Sequence, residues 1–157
     1  MSQRATDLAS RLEKTNDDVI ALVESLSEGQ WRGTTNEEGW TVAATAHHIA
    51  ATYGAVVPLI QGLASGATIP PIPLDFINDG NAKHAADFKD CNREETIALL
   101  RDGGKSATQM IGGLSDEGLD RTAQLLQDGP ELTTEQVIEG VLISHAEIHA
   151  TSIREVL

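Results

Sequence analysis

The stretch Val141–Arg154, VLISHAEIHATSIR, sets the reading of the whole chain. His145 and His149 stand four residues apart, so on a helix they lie one above the other on one face. Ile138, Val141, Leu142, Ile148, Ser152 and Val156 recur around them at helical spacing, which predicts that this face turns inward. Two neutral imidazoles on an inward face can send ring nitrogens to a common point, as a transition metal requires. The bland alternative is a pair of hydrogen-bonded core histidines. A pair supplies only two ligands, so a metal site needs a third from elsewhere in the chain.

The 157 residues fit one domain, large enough to bury its own core without disulfides. Cys91 is the single cysteine, and the N-terminal MSQRATDLASRLEK has a helical pattern rather than that of a secretory leader. Both fit a reducing cytoplasm. No apolar run is long enough for a membrane span. A net charge of −13 repels phosphate backbones, and aromatics at 3% leave little for stacking on bases. Nucleic acid and membrane are therefore not expected partners.

Four amphipathic helices follow from the apolar periodicity. The first covers about Gln3–Leu26, with Leu8, Leu12, Val19, Leu22, Val23 and Leu26 as its stripe. A connection over residues 30–39 is anchored by Trp31. Thr41 is the expected N-cap of the second helix, whose stripe is Val42, Ala46, Ile49, Tyr53, Val56, Ile60 and Leu63, with a kink expected at Pro58. SGATIPPIP (65–73) is a loop, and residues 74–89 read as a short helical piece broken near Gly80. Asn92 with Glu95 opens the third helix, where Gly103 and Gly104 predict a bend. Residues 115–131 form a connection with a helical turn around Leu119. Thr133 with Gln136 caps the fourth helix, which runs to the C-terminus. No strand pattern competes. The expected fold is all-α, one four-helix-bundle domain over 1–157, with connections long enough for a crossover.

The third ligand is sought on the second helix, which carries His47 and His48 side by side. Neighbours on a helix point roughly 100° apart, so one site takes only one of them. With Val42 as zero, His48 lies roughly 120° to one side of the stripe and His47 roughly 140° to the other. The apolar face leans slightly toward His48.

The segment GWTVAATAHHIA (39–50) resembles the second-helix signature of the DinB-like superfamily, which includes the N-terminal domain of mycothiol-dependent maleylpyruvate isomerase. There a ligand histidine follows the tryptophan by eight positions, which points to His48 after Trp40. The H-x-x-x-H pair of that family's fourth helix is matched by His145 and His149. An asparagine following the proline-rich loop is matched by Asn81. The resemblance implies an up-down-down-up four-helix bundle and one divalent metal on His48, His145 and His149. It also implies chemistry with a low-molecular-weight thiol, with Asn81 as a substrate-binding residue. The isomerases carry a further C-terminal domain beyond the point where this sequence ends.

Three neutral imidazoles leave the charge of a +2 ion intact and leave coordination positions open, as catalytic zinc sites do. Zinc is the default ion, with nickel, iron or manganese compatible with the same ligands. The expected function is metal-dependent thiol S-transfer to a small electrophile. The competing class is a non-catalytic metal-binding or stress-related module of the same fold. The expected partners are the thiol and the electrophile, with a homodimer allowed. The remaining residues read more plainly. His47 is expected at the solvent side or behind the site, and His84 as polar surface. Cys91 reads as a buried spectator thiol, Trp31, Trp40 and Tyr53 as packing residues, and the acidic residues as a solvated face. HAEIH lacks the metalloprotease order H-E-x-x-H.

Overall fold

The computed structural model describes residues 1–157. Its elements are α1 (Gln3–Ser25), α2 (Glu28–Trp31), α3 (Val42–Ala64), α4 (Leu74–Asp87), α5 (Arg93–Gly112) and α6 (Asp116–Asp120). A two-stranded antiparallel hairpin follows, β1 (Thr122–Gln124) and β2 (Glu131–Thr133). The last long helix has three parts: α7 (Thr134–Val137), a π-helical stretch (Ile138–Ser144) and α8 (His145–Arg154).

Helix starts obey local chemistry. The side chains of Ser2, Thr41, Asn92 and Ser115 each accept a hydrogen bond from a first-turn backbone N–H. Such a cap is worth about 1 kcal/mol. Ser27–Gln30 and Thr133–Gln136 form full capping boxes. The first of these opens α2 inside the expected connection, and it turns Trp31 into the core. There its indole N–H donates to the Cys91 carbonyl at 3.0 Å.

Contacts at the helix ends set the directions. Ser2 at the start of α1 donates to Asp116, just past the end of α5, and Arg93 at the start of α5 reaches the Leu26 carbonyl past the end of α1. These two helices are antiparallel. Thr41 and Ala43 at the start of α3 meet Lys89 and Cys91, just before α5, so α3 and α5 are parallel. Arg4 and Arg11 of α1 pair in order with Glu135 and Glu139, so the last helix runs parallel to α1. The order is up-down-down-up. Two consecutive long helices pointing the same way need a crossover, and residues 65–92 with α4 supply it. Its proline-rich part is tied down where Ile72 bridges to the hairpin, donating to the Leu125 carbonyl and accepting from Gln127 N–H, each at 3.0 Å.

The core is aliphatic, built from residues such as Leu12, Ile49, Ile60, Leu100, Ile111, Leu142 and Ile153. One polar knot crosses it. Asn16 of α1 donates to the Leu100 carbonyl at 2.9 Å and accepts from the Tyr53 hydroxyl at 2.7 Å. This knot accounts for the two glycines in the middle of α5, which is one helix through Gly103 and Gly104. A Cβ on Gly104 would stand 2.1 Å from the Asn16 amide nitrogen, and one on Gly103 3.1 Å from the Tyr53 ring. The glycines admit these close neighbours.

Two expectations change. α4 is one continuous helix across Gly80, because its inward residues Ile77, Asn81, His84 and Ala85 keep helical spacing while Gly80 faces solvent. α3 includes Pro58, which lies on the exposed side with Gly54, so a carbonyl left without its partner can meet water. The hairpin β1–β2 was not expected at all; strands of three residues are too short to show an alternating pattern. No helix is long and apolar enough to cross a membrane.

Candidate metal centre

His48 comes from the first half of α3, and His145 and His149 from α8 on the facing antiparallel helix. The Nε2 atoms of His48 and His145 are 2.9 Å apart, and those of His145 and His149 are 3.2 Å apart. One nitrogen from each of the three rings lies within 4.8 Å of the others. Imidazole nitrogens held at about 2.0–2.1 Å by a tetrahedral ion stand about 3.3 Å apart, close to what is seen. Burial, then the neighbouring histidines, depress His48 to about 3 and His145 to about 4. Both rings are therefore neutral near pH 7 and offer lone pairs, as metal ligation requires. The donor set fits a divalent transition-metal ion.

The inward phase of α8 depends on the π-helical stretch before it. Thr134, Ile138, Leu142, Ala146 and Ala150 are all at most 2% exposed and follow one another at intervals of four. In an α-helix each such step overshoots a full turn by about 40°, about 160° over the four steps. The wider turns over Ile138–Ser144 absorb much of that rotation, so the histidines still face α3. The same shift turns Ile148 outward; it is 60% exposed, against its expected place on the inward face.

A loop supplies what the sequence did not suggest. Thr34 and Thr41 form an isolated bridge, Thr35 N–H donates to the Trp40 carbonyl at 2.8 Å, and Gly39 takes a left-handed φ of 69°. This turn aims Glu38 and Trp40 at the histidines. His149 Nδ1–H donates to Glu38 Oε1 at 2.7 Å, and Glu38 Oε2 is buried without a partner. Burial pushes Glu38 upward, but hydrogen bonding, from His149 first, wins and holds the carboxyl below its ordinary value. The Trp40 ring stands edge-on to His48 and stacks near His149, with centroids at 5.3 and 6.0 Å. The acidic residues were read as a uniformly solvated face, and Glu38 is the exception. The NEEG context carries no pattern that would separate it from Glu37 beside it.

The other histidines also differ from expectation. His47 is as buried as His48, each 9% exposed. It turns toward α4, where its Nδ1 lies 3.0 Å from His84 Nε2 and its ring stacks on Phe88 at 3.9 Å. His84 is thus a partner of His47, not loose polar surface, and its ring is 5.6 Å from that of His48. Residues Val42 to Ala50 are all buried, because the bundle covers one side of α3 and α4 the other. Asn81 lies half-buried one turn before His84 on the inward face of α4. Cys91 is outside the cluster; its thiol donates to the Ala43 carbonyl at 3.4 Å, and burial pushes its pKa up. Glu147 faces Thr15 on α1, away from the site.

The class is an up-down-down-up four-helix bundle with three histidines converging from two facing helices as a candidate metal site. A model of the DinB superfamily matches residues 11–153, and the chain belongs to that superfamily. Three solved structures share the fold. YfiT from Bacillus subtilis, described as a probable metal-dependent hydrolase with an unusual four-helix bundle topology, superposes with a TM-score of 0.81 at 21% identity, over 99% of this chain and 87% of its own. A protein from Streptococcus pneumoniae gives 0.77 at 15% identity, over 99% and 91%. One from Clostridium difficile 630 gives 0.75 at 15% identity, over 99% and 96%. No curated protein matches the sequence.

Proposed function

We propose that the chain is a metal-dependent enzyme that holds one divalent ion on His48, His145 and His149 and transfers a low-molecular-weight thiol to a small electrophile. The observation that carries this reading is the convergence of three imidazole nitrogens from α3 and α8. Such an ion supplies Lewis acidity that lowers the pKa of a thiol or of water. The chain's own residues do the rest. Trp40 walls the site on the loop side. α4 lies across the start of α3 and brings His84 and Asn81 to its inward side, where Asn81 would orient the thiol or its acceptor. Cys91, protonated and held by Ala43, is no competing nucleophile. The likeness to YfiT supports a second reading in which the incoming group is water and the reaction hydrolysis.

The test is a panel run on metal-loaded protein. Glutathione, cysteine, bacillithiol and mycothiol are each offered with an aryl halide, and ester and amide substrates are offered without thiol. The expected result is thiol-dependent conjugation that chelation abolishes. Asn81→Ala should lower turnover without emptying the site, and Cys91→Ser should change nothing. Hydrolysis without thiol would move the assignment to the second reading. A fully loaded protein inert in both arms would make it a non-catalytic metal-binding module.

A further inference from the structure

We infer that Glu38 is a positioning residue of the metal centre: it fixes the ring of His149 and supplies the negative charge behind the ion. The inference rests on the metal reading above and concerns a residue outside the ligand set. A carboxylate taken out of water is expensive unless paired and hydrogen-bonded. The Glu38 side chain is only 10% exposed; its close hydrogen bond comes from His149, the Thr35 and Ser152 hydroxyls add weaker support, and Oε2 is buried without a partner at hydrogen-bond distance. No lysine or arginine pairs with it; the chain's ion pairs of those residues all lie elsewhere. Its closest partner is His149 Nδ1, on the side of the ring opposite the Nε2 that faces His145.

Each part of that arrangement has a consequence. A proton on Nδ1, donated to Glu38, leaves the Nε2 lone pair free and aimed at the shared point. The hydrogen bond also raises the basicity of the ring, and carboxylate–histidine–metal relays are worth about 10- to 100-fold in metal affinity. A cation on the far side of the imidazole supplies the positive charge that a buried carboxylate otherwise lacks. The fold spends a left-handed glycine to make the contact, because Gly39 at φ 69° is what turns the 34–41 loop back onto α8. A loop merely joining α2 to α3 has no need to bury a carboxylate.

The experiment measures Zn2+ affinity by competition with a chromophoric chelator, and the d–d spectrum of the Co2+-loaded protein, for wild type, Glu38→Gln, Glu38→Ala and Glu147→Gln. Glu147→Gln is the control, since that carboxylate faces α1. Glu38→Ala should weaken Zn2+ binding by about 10- to 100-fold. Glu38→Gln, which keeps the shape and an acceptor but not the charge, should fall between it and wild type. The Co2+ bands should move in both, which a purely structural role would not produce, and the control should match wild type. If Glu38→Ala does not fold, the isosteric Glu38→Gln carries the test alone. Wild-type protein that binds tightly while the Glu38 variants bind equally well or better overturns this inference and leaves the metal reading standing. Wild-type protein that binds no ion overturns the metal reading, and this inference with it.

Discussion

At the scale of single residues, the site depends on which of two neighbouring histidines faces which neighbour. His48 meets His145, and His47 meets His84 and Phe88. His48→Gln, His145→Ala and His149→Ala should therefore each strip metal from the purified protein, while His47→Gln and His84→Ala leave about one ion per chain. Elemental analysis after dialysis reads this directly. Full retention by the His145→Ala/His149→Ala double variant would reject the assignment, and metal loss with His47→Gln but not His48→Gln would exchange their roles. The two also differ in their surroundings. Burial lowers the pKa of both, but only His48 is held down further by the facing pair on α8.

At the scale of elements, identical residues in helices do opposite work. Gly80 in α4 has nothing within 4 Å of where a Cβ would stand, whereas Gly104 in α5 has the Asn16 amide 2.1 Å away. Helix propensity favours alanine at both positions by up to about 1 kcal/mol. Gly80→Ala should accordingly stabilise the protein by about 0.5–1 kcal/mol. Gly104→Ala should destabilise it by about 1–3 kcal/mol, because the Asn16–Tyr53–Leu100 knot must shift or break. Urea denaturation of both variants decides it. Equal signs would mean that the α1–α5 contact is looser than it stands here. The π-helical stretch acts at the same scale. Local propensity does not ask for it; the need to keep a four-residue stripe facing the core while His145 and His149 face α3 does.

At the scale of the molecule, burying the histidine cluster links stability to pH. In the unfolded chain His48 and His145 take up protons near 6.5, but in the folded, metal-free protein only near 3 and 4. Between those limits the unfolded state binds more protons, so stability falls as pH falls. Above about 6.5 neither group contributes. The slope is at most about 1.4 kcal/mol per pH unit for each histidine. The melting temperature of metal-free protein should drop as pH is lowered from 7 toward 4, and a His48→Gln/His145→Gln double variant should show a shallower decline. An identical decline in the double variant would mean that other groups carry the acid sensitivity. Zn2+ should raise the melting temperature of wild type, because it binds the folded state alone, and the gain should shrink in acid.

The sequence by itself determined the four long helices, their caps at Thr41, Asn92 and Thr133, and the histidine pair on the last of them. Those features are local: an apolar stripe, a side chain reaching its own first turn, and a four-residue spacing are complete within a few turns of chain. The choice of His48 came close to undecided from phase, since Val42 to Ala50 are all buried and α3 has no free face there. Only the tertiary structure settled what lies between elements. It closed α4 over His47, so that His84 joined a stack instead of the surface. It used Gly103 and Gly104 for close contact with α1 and α3, widened the helix before His145, and turned Ile148 out. It also brought Glu38 across 111 residues to His149. Glu37 and Glu38 are indistinguishable along the chain; one turns a side chain only 10% exposed against an imidazole and the other is exposed, because a left-handed turn at Gly39 and the packing of α8 select between them.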